Sequence, residues 1–243
     1  MEMSLHRELK ARYGPERGGR SEVTLDAFRV DAVAADGVLV EVQSGALAPL
    51  RPKLRRLLQG HRVLVVKPVV LTRRLIRRAG CDGTDLSARI SPKRGTLVDV
   101  FNDLVGLAGV FPNRNLRVDV VAVEIDEVRI SRRRRPGYAV ADRRLRSVGA
   151  SVALRDPDDL WALLPVAVEG NFTTRDLAER LARPLDFAQR VAYCLRRAGG
   201  IARVGKKGNL LVYRRVEGTA SHRGLESYPA GRGLGEDMVA FRG

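Results

Sequence analysis

The alternation of apolar and polar positions divides the chain into helical and extended stretches before any single residue stands out. In "SLHRELKARY", residues 4–13, Leu5, Leu9 and Tyr13 recur every four positions, the repeat that puts side chains on one side of a helix. Ser4 is placed to cap its start, and Gly14 with Pro15 stops it. Residues 22–33 and 38–43 are instead rich in Val, Leu and Phe, and the "AADG" between them holds an Asp-Gly pair that favours a hairpin. Two antiparallel strands are expected. A basic helix over 50–59, "LRPKLRRLLQ", leads into the buried strand "HRVLVV". A further helix is expected around 96–108 and a further strand in "NLRVDVVAVEIDEVRI". The first 150 residues therefore read as an α/β domain.

A second unit, expected over 151–216, has a different rhythm. "DPDDLWALLPV", "NFTTRDLAERL" and "PLDFAQRVAYCLRRAGG" read as three helices, and "IARVGKKGNLLVYRRV" as a hairpin turning at "GKKGN". Thr173 or Thr174 caps the second helix, Pro184 opens the third, and Gly199 with Gly200 ends it. Residues 217–243 are glycine-rich with little apolar periodicity and read as a mobile tail.

Composition narrows the partners. Lys and Arg number 44 against 28 Asp and Glu, a net charge of +16 in 243 residues, which favours a polyanion such as nucleic acid or an anionic membrane surface. The most apolar run, "VLVVKPVVL", is broken by Lys67 and Pro68 and is too short to span a bilayer, while "MEMSLHRELK" lacks the apolar core of a signal peptide. A soluble, cytoplasmic protein with no membrane partner is expected. The two cysteines, Cys81 and Cys194, are too few for a disulfide framework or a zinc site. His6, His61 and His222 show no metal-ligand spacing, and no phosphate-binding glycine loop is present.

Chemistry concentrates in the hairpin. In "LVEVQSG" Glu41 and Gln43 share one strand face and Val40 and Val42 the other. A three-residue turn at Ala35, Asp36 and Gly37 would set Asp31 of "FRVDAV" opposite Glu41, whereas a two-residue turn would set it opposite Val42. Two facing carboxylates repel unless a cation lies between them, and Mg²⁺ accepts one or two carboxylates while keeping several waters. The alternative is a pair of solvated strand residues matched with arginines.

Helix, strand with Asp31, hairpin, strand with Glu41-Val42-Gln43, helix and apolar strand, over residues 4–70, resemble the core of the PD-(D/E)xK nuclease superfamily. The resemblance implies a restriction-endonuclease-like mixed sheet with flanking helices. It also implies Mg²⁺ or Mn²⁺ held by Asp31, Glu41 and the carbonyl of Val42. Gln43 takes the place usually held by the catalytic lysine, as in the Glu-x-Gln variant of a nuclease-like region in the competence protein CoiA. Glu8 becomes a candidate additional acid, and Lys53 a candidate displaced lysine.

Residues 151–216 resemble the winged helix-turn-helix family, which implies DNA contact through the third helix and the wing, with RNA as the alternative. From Phe187 to Val216 there are eight basic residues and no acid, among them Arg190, Arg203, Lys206 and Lys207. Between Glu41 and Asp82 ten more Lys or Arg occur without an acid, and "RRRR" fills 132–135. The combined expectation is a metal-dependent DNA endonuclease with a basic winged helix. Its alternatives are a catalytically inactive DNA-binding or regulatory protein on the same folds, or an RNA-binding protein.

Overall fold

The computed structural model describes residues 2–25, 28–79, 83–132 and 137–216; Cys81, residues 133–135 of the arginine run and the expected tail at 217–243 lie outside them. A mixed seven-stranded sheet with flanking helices dominates. Its strands are β1 (Arg20–Leu25), β2 (Phe28–Val33), β3 (Leu39–Val42), β4 (Val63–Arg78), β5 (Asp85–Ile90), β6 (Leu116–Ser131) and β7 (Tyr138–Leu154). They lie in the order β1-β2-β3-β4-β6-β7, with β5 on β4. β1, β2 and β3 run antiparallel in turn, β3 and β4 run parallel, β6 is parallel to β4, and β7 is antiparallel to β6.

A parallel neighbour requires a crossover. Between β3 and β4 it is a 3-10 turn, Ala48–Leu50, and helix α2 (Arg51–Leu57), which has Pro52 in its first turn where no N–H is missed. β4 is paired with β3 only as far as Val66, so Pro68, which cannot donate, falls where that neighbour has ended. Farther along the same edge β5 takes over from Arg74 to Arg78. The intervening segment is pinned by Gly95, whose N–H donates to Leu71 and at which a Cβ would lie 2.2 Å from the carbonyl oxygen of Val70.

Alternation along the central strands builds two cores. On one face Leu5, Leu9 and Tyr13 of helix α1 (Ser4–Tyr13) pack with Ala32, Val40, Val42, Val66, Val121 and Val123. On the other, Leu54 and Leu57 of α2 pack with Leu39, Val63, Val65, Val118 and Val120. Ser4 does not cap α1 through its own side chain. Asp142 of β7 does so instead, accepting from the Ser4 backbone N–H at 2.9 Å and from its hydroxyl at 2.7 Å. The helix expected around 96–108 is three short pieces, 3-10 turns at Leu97–Val100 and Val105–Leu107 around α3 (Phe101–Leu104).

The expected boundary at 150 cuts through β7, which continues to Leu154, a residue wholly buried in the core. Beyond it come α4 (Pro157–Ala162), β8 (Asn171–Thr173), α5 (Thr174–Leu181), α6 (Leu185–Ala198), β9 (Ile201–Lys207) and β10 (Leu210–Arg215), with a three-stranded sheet ordered β8-β10-β9. Thr173 caps α5, with Asp176 returning the bond, and Gly199 ends α6 at φ +86°. This unit is not separate from the first. Leu160, Phe187, Val191 and Leu195 share one continuous core with Phe101 and Leu104, and Arg183 pairs with Asp99 across the junction. No helix among the described residues is long and apolar enough to cross a membrane.

Candidate functional site

The loop between β2 and β3 fixes the position of the acids. Ala34 donates to Val38 at 2.9 Å, Gly37 donates to Ala34 at 2.9 Å, and Gly37 sits at φ +80°, so the turn is the three-residue form. The ladder then pairs Val33 with Leu39 and Ala32 with Val40, a register that points Asp31 at Glu41. There the ladder opens. The N–H of Val42 donates 2.8 Å to the carboxylate of Asp31 instead of to a strand carbonyl.

The two acids are adjacent but gripped from opposite sides of the sheet. On the α1 side, Nε2 of His6 lies 3.4 Å from Asp31 and Nζ of Lys10 lies 4.0 Å away. Burial alone would raise the pKa of Asp31, yet His6, the Val42 N–H and Lys10 together hold it below the ordinary aspartate value. Glu41, only 6% exposed, is reached from the α2 side by Lys53, which also bonds the carbonyl of Arg29. Burial raises the pKa of Glu41, and Lys53 does not fully offset it; the charge of Asp31 pushes it the same way.

The remaining predicted residues divide. Lys53 is brought to Glu41, and Val42 contributes its N–H to Asp31. Gln43 turns away from both acids, its Nε2 donating to the carbonyl of Ala46 at 2.8 Å. Glu8 lies about 200° around α1 from His6, so the helix carries it away from Asp31. Arg190 of α6 pairs with Asp186 one turn away on the same helix at 3.0 Å and donates to Asn102 beside α3 at 3.2 Å, with its side chain 42% exposed. Arg203, Lys206 and Lys207 stand exposed along β9. Among the described residues no group of three or more His, Cys, Asp and Glu side chains is gathered as a metal site.

Sequence reasoning misses the polar network beneath Asp31. Lys10 is nearly buried and pairs with Glu2 at 3.0 Å and Glu22 at 2.9 Å; burial opposes its charge, but these acids hold its pKa above the ordinary lysine value. His6 also touches Glu2 at 3.4 Å. The signal that could have found it is the i, i+4 spacing of His6 and Lys10 beside the apolar Leu5 and Leu9. Lys67, in the sequence only an interruption of an apolar run, is 3% exposed. It pairs with Asp103 at 3.0 Å and donates to the carbonyl of Gly45 at 2.6 Å, anchoring the loop that follows Gln43. Burial lowers its pKa, against the pull of Asp103.

The family model described as "Domain of unknown function (DUF8091)" matches residues 3–155. An uncharacterized protein of Treponema pallidum (strain Nichols) is 33% identical over 245 residues, covering 98% of this chain and 95% of its own. No solved structure matches the chain.

Proposed function

The chain belongs to the DUF8091 family, and from the geometry of its hairpin we propose that it is a nucleic-acid-directed protein that cleaves phosphodiester bonds with a divalent cation at Asp31 and Glu41. The observation that carries the reading is the opened ladder at the β2 and β3 junction, which sets Asp31, held by His6, close to Glu41, held by Lys53. The order α1, β1, β2, β3, α2 and β4, a helix and antiparallel strands followed by a helical crossover to a parallel strand, supports this reading. Asp31 and Glu41 suit Mg²⁺ or Mn²⁺, which need only one or two protein carboxylates and complete their shell with water. Such an ion supplies a nucleophilic water and neutralises phosphate charge.

The protein's own groups have defined parts in this reading. Asp31 is kept ionised by His6 and Lys10, ready to hold a cation. Lys53 supplies positive charge beside Glu41 in the role that Gln43, which has none to give, cannot fill. The basic β9 and β10 hairpin with α6 is read as a winged helix that contacts duplex DNA through Arg203, Lys206 and Lys207.

A second reading keeps nucleic-acid binding without cleavage. It is favoured by Gln43 being turned to Ala46 and by Lys53 already neutralising Glu41. Cleavage of supercoiled, linear and single-stranded DNA, and of structured RNA, separates the two, using wild type, Asp31→Asn and Glu41→Gln with Mg²⁺, Mn²⁺ or EDTA. The nuclease reading expects metal-dependent cutting that falls at least about a hundredfold in both variants, as loss of a charge-stabilising group does. A folded wild type that binds DNA and cuts nothing supports the second reading.

A further inference from the structure

The register of the far halves of β4, β6 and β7 assembles a charged surface that the acid pair does not use. Paired residues in neighbouring strands share a face. One row joins Arg89, Leu75, Glu127 and Arg143; the next outward pairs Arg77 with Arg129. Arg73 lies two residues inward of Leu75 on the same face.

At the centre of this surface is Glu127, 1% exposed and surrounded by guanidinium groups. Arg129 pairs with it at 2.6 Å, Arg143 at 3.3 Å and Arg73 at 3.5 Å. Burial would raise the pKa of Glu127, but these three arginines hold it below the ordinary glutamate value. One carboxylate thus orders three arginines and neutralises only one. With Arg77 and Arg89, five arginines and one acid lie in these rows among the described residues. Asp142, the next carboxylate along β7, is engaged by the start of α1 and by Arg144 at 3.4 Å. Arg129 is further fixed over the ring of Tyr138, 3.9 Å from its centroid.

The surface also has a connection to the acids. A cleft of about 290 Å³ lined by Glu2, Met3, Leu5, His6, Ser44 and Arg143 lies between them. His6 on its wall contacts Asp31, and Arg143 on its wall contacts Glu127. We propose that Arg73, Arg77, Arg89, Arg129 and Arg143 form a phosphate-binding strip that receives the backbone of duplex DNA and leads it along the sheet to the cleft beside Asp31. Charge complementarity selects the occupant: guanidinium forks held in place by a buried acid match phosphate oxygens, and their ordering has been met before the ligand arrives. The proposal rests on the nucleic-acid reading above and adds a contact on the large sheet to that of the C-terminal hairpin.

The test is binding of a fluorescent duplex to the full chain, by anisotropy, across a salt series. The strip variant is Arg77→Gln with Arg89→Gln, because Arg77 is exposed and holds only a long contact to Ser131, 3.4 Å, and Arg89 is exposed on β5. Its affinity should fall, and the slope of log K against log salt should shrink by about 1.8, at about 0.9 for each phosphate no longer neutralised. Glu127→Gln, which removes the carboxylate that holds Arg73, Arg129 and Arg143 in place, should also bind more weakly than wild type. Unchanged affinity and slope in both variants overturn the strip. So does binding of anionic lipid vesicles in place of duplex. If those variants bind as wild type does while Lys206→Gln with Lys207→Gln abolishes binding, the strip falls and the nucleic-acid reading stands. A wild type that binds no duplex at any salt overturns both.

Discussion

Asp31 and Glu41 lie on neighbouring strands, held from opposite sides of the sheet, and their surroundings drive their protonation in opposite directions. Asp31 is held below its ordinary value, so its ionised form contributes stability above that value and the contribution is lost as pH falls through the lower folded value. Glu41 is raised, so the fold favours its protonated form; that contribution is present below the ordinary value and is lost as pH rises through the folded one. Thermal melts across pH should therefore give opposite signs. Asp31→Asn should melt below wild type at neutral pH, with the gap closing at pH values under the ordinary aspartate range. Glu41→Gln should melt above wild type at neutral pH, with the gap closing as pH drops below the ordinary glutamate range. Same-sign shifts at neutral pH would contradict the two environments. The acids themselves were legible from strand alternation and turn length. Their partners were not, because His6 and Lys10 reach Asp31 from a helix whose packing against β2 and β3 only the fold reveals.

Elements were legible where one periodicity governs them. Helix α1, the β2 and β3 hairpin and the caps at Thr173 and Gly199 follow from local rules, and the structure places them where those rules do. The stretch at 22–33 reads as one strand because Val23, Leu25, Phe28 and Val30 recur along it, although β1 and β2 fold back on each other with Leu25 opposite Phe28. The helix expected at 96–108 breaks into 3-10 and α pieces because it is fitted against α6 and the 47–48 loop, where a Cβ on Gly106 would come within 2.4 Å of the backbone nitrogen of Ala48. Gly95 is the sharpest element-scale constraint. Gly95→Ala should lose several kcal/mol of stability, the scale of severe overpacking, because backbone rather than a flexible side chain stands in the way. A denaturant midpoint equal to that of wild type would show that β4 and the following loop yield at this point.

At the scale of the whole molecule, two units that differ in sequence rhythm share a core. Phe101 is wholly buried where α3 meets α6, and Cys194 on α6 is buried there with its thiol pushed up to about 12. Phe101→Ala should cost about 3–5 kcal/mol and lower the melting of both units together, followed by near-ultraviolet signals from Trp161 in the C-terminal unit. Two separated transitions in wild type would refute the shared core. No local pattern announces this junction: Arg183 reads from sequence as one more cation before α6, and only the fold brings it to Asp99.

The length of β4 has one more consequence. Glu41 lies opposite Val65 near one end of this strand, and Arg78 lies at the other. Thirteen residue steps at about 3.3 Å each separate them by about 43 Å. B-DNA advances about 3.4 Å per base pair, so the same distance is about 13 base pairs. The strand is a ruler, and an oligonucleotide shorter than that cannot touch the outer end of the sheet and the paired acids at once.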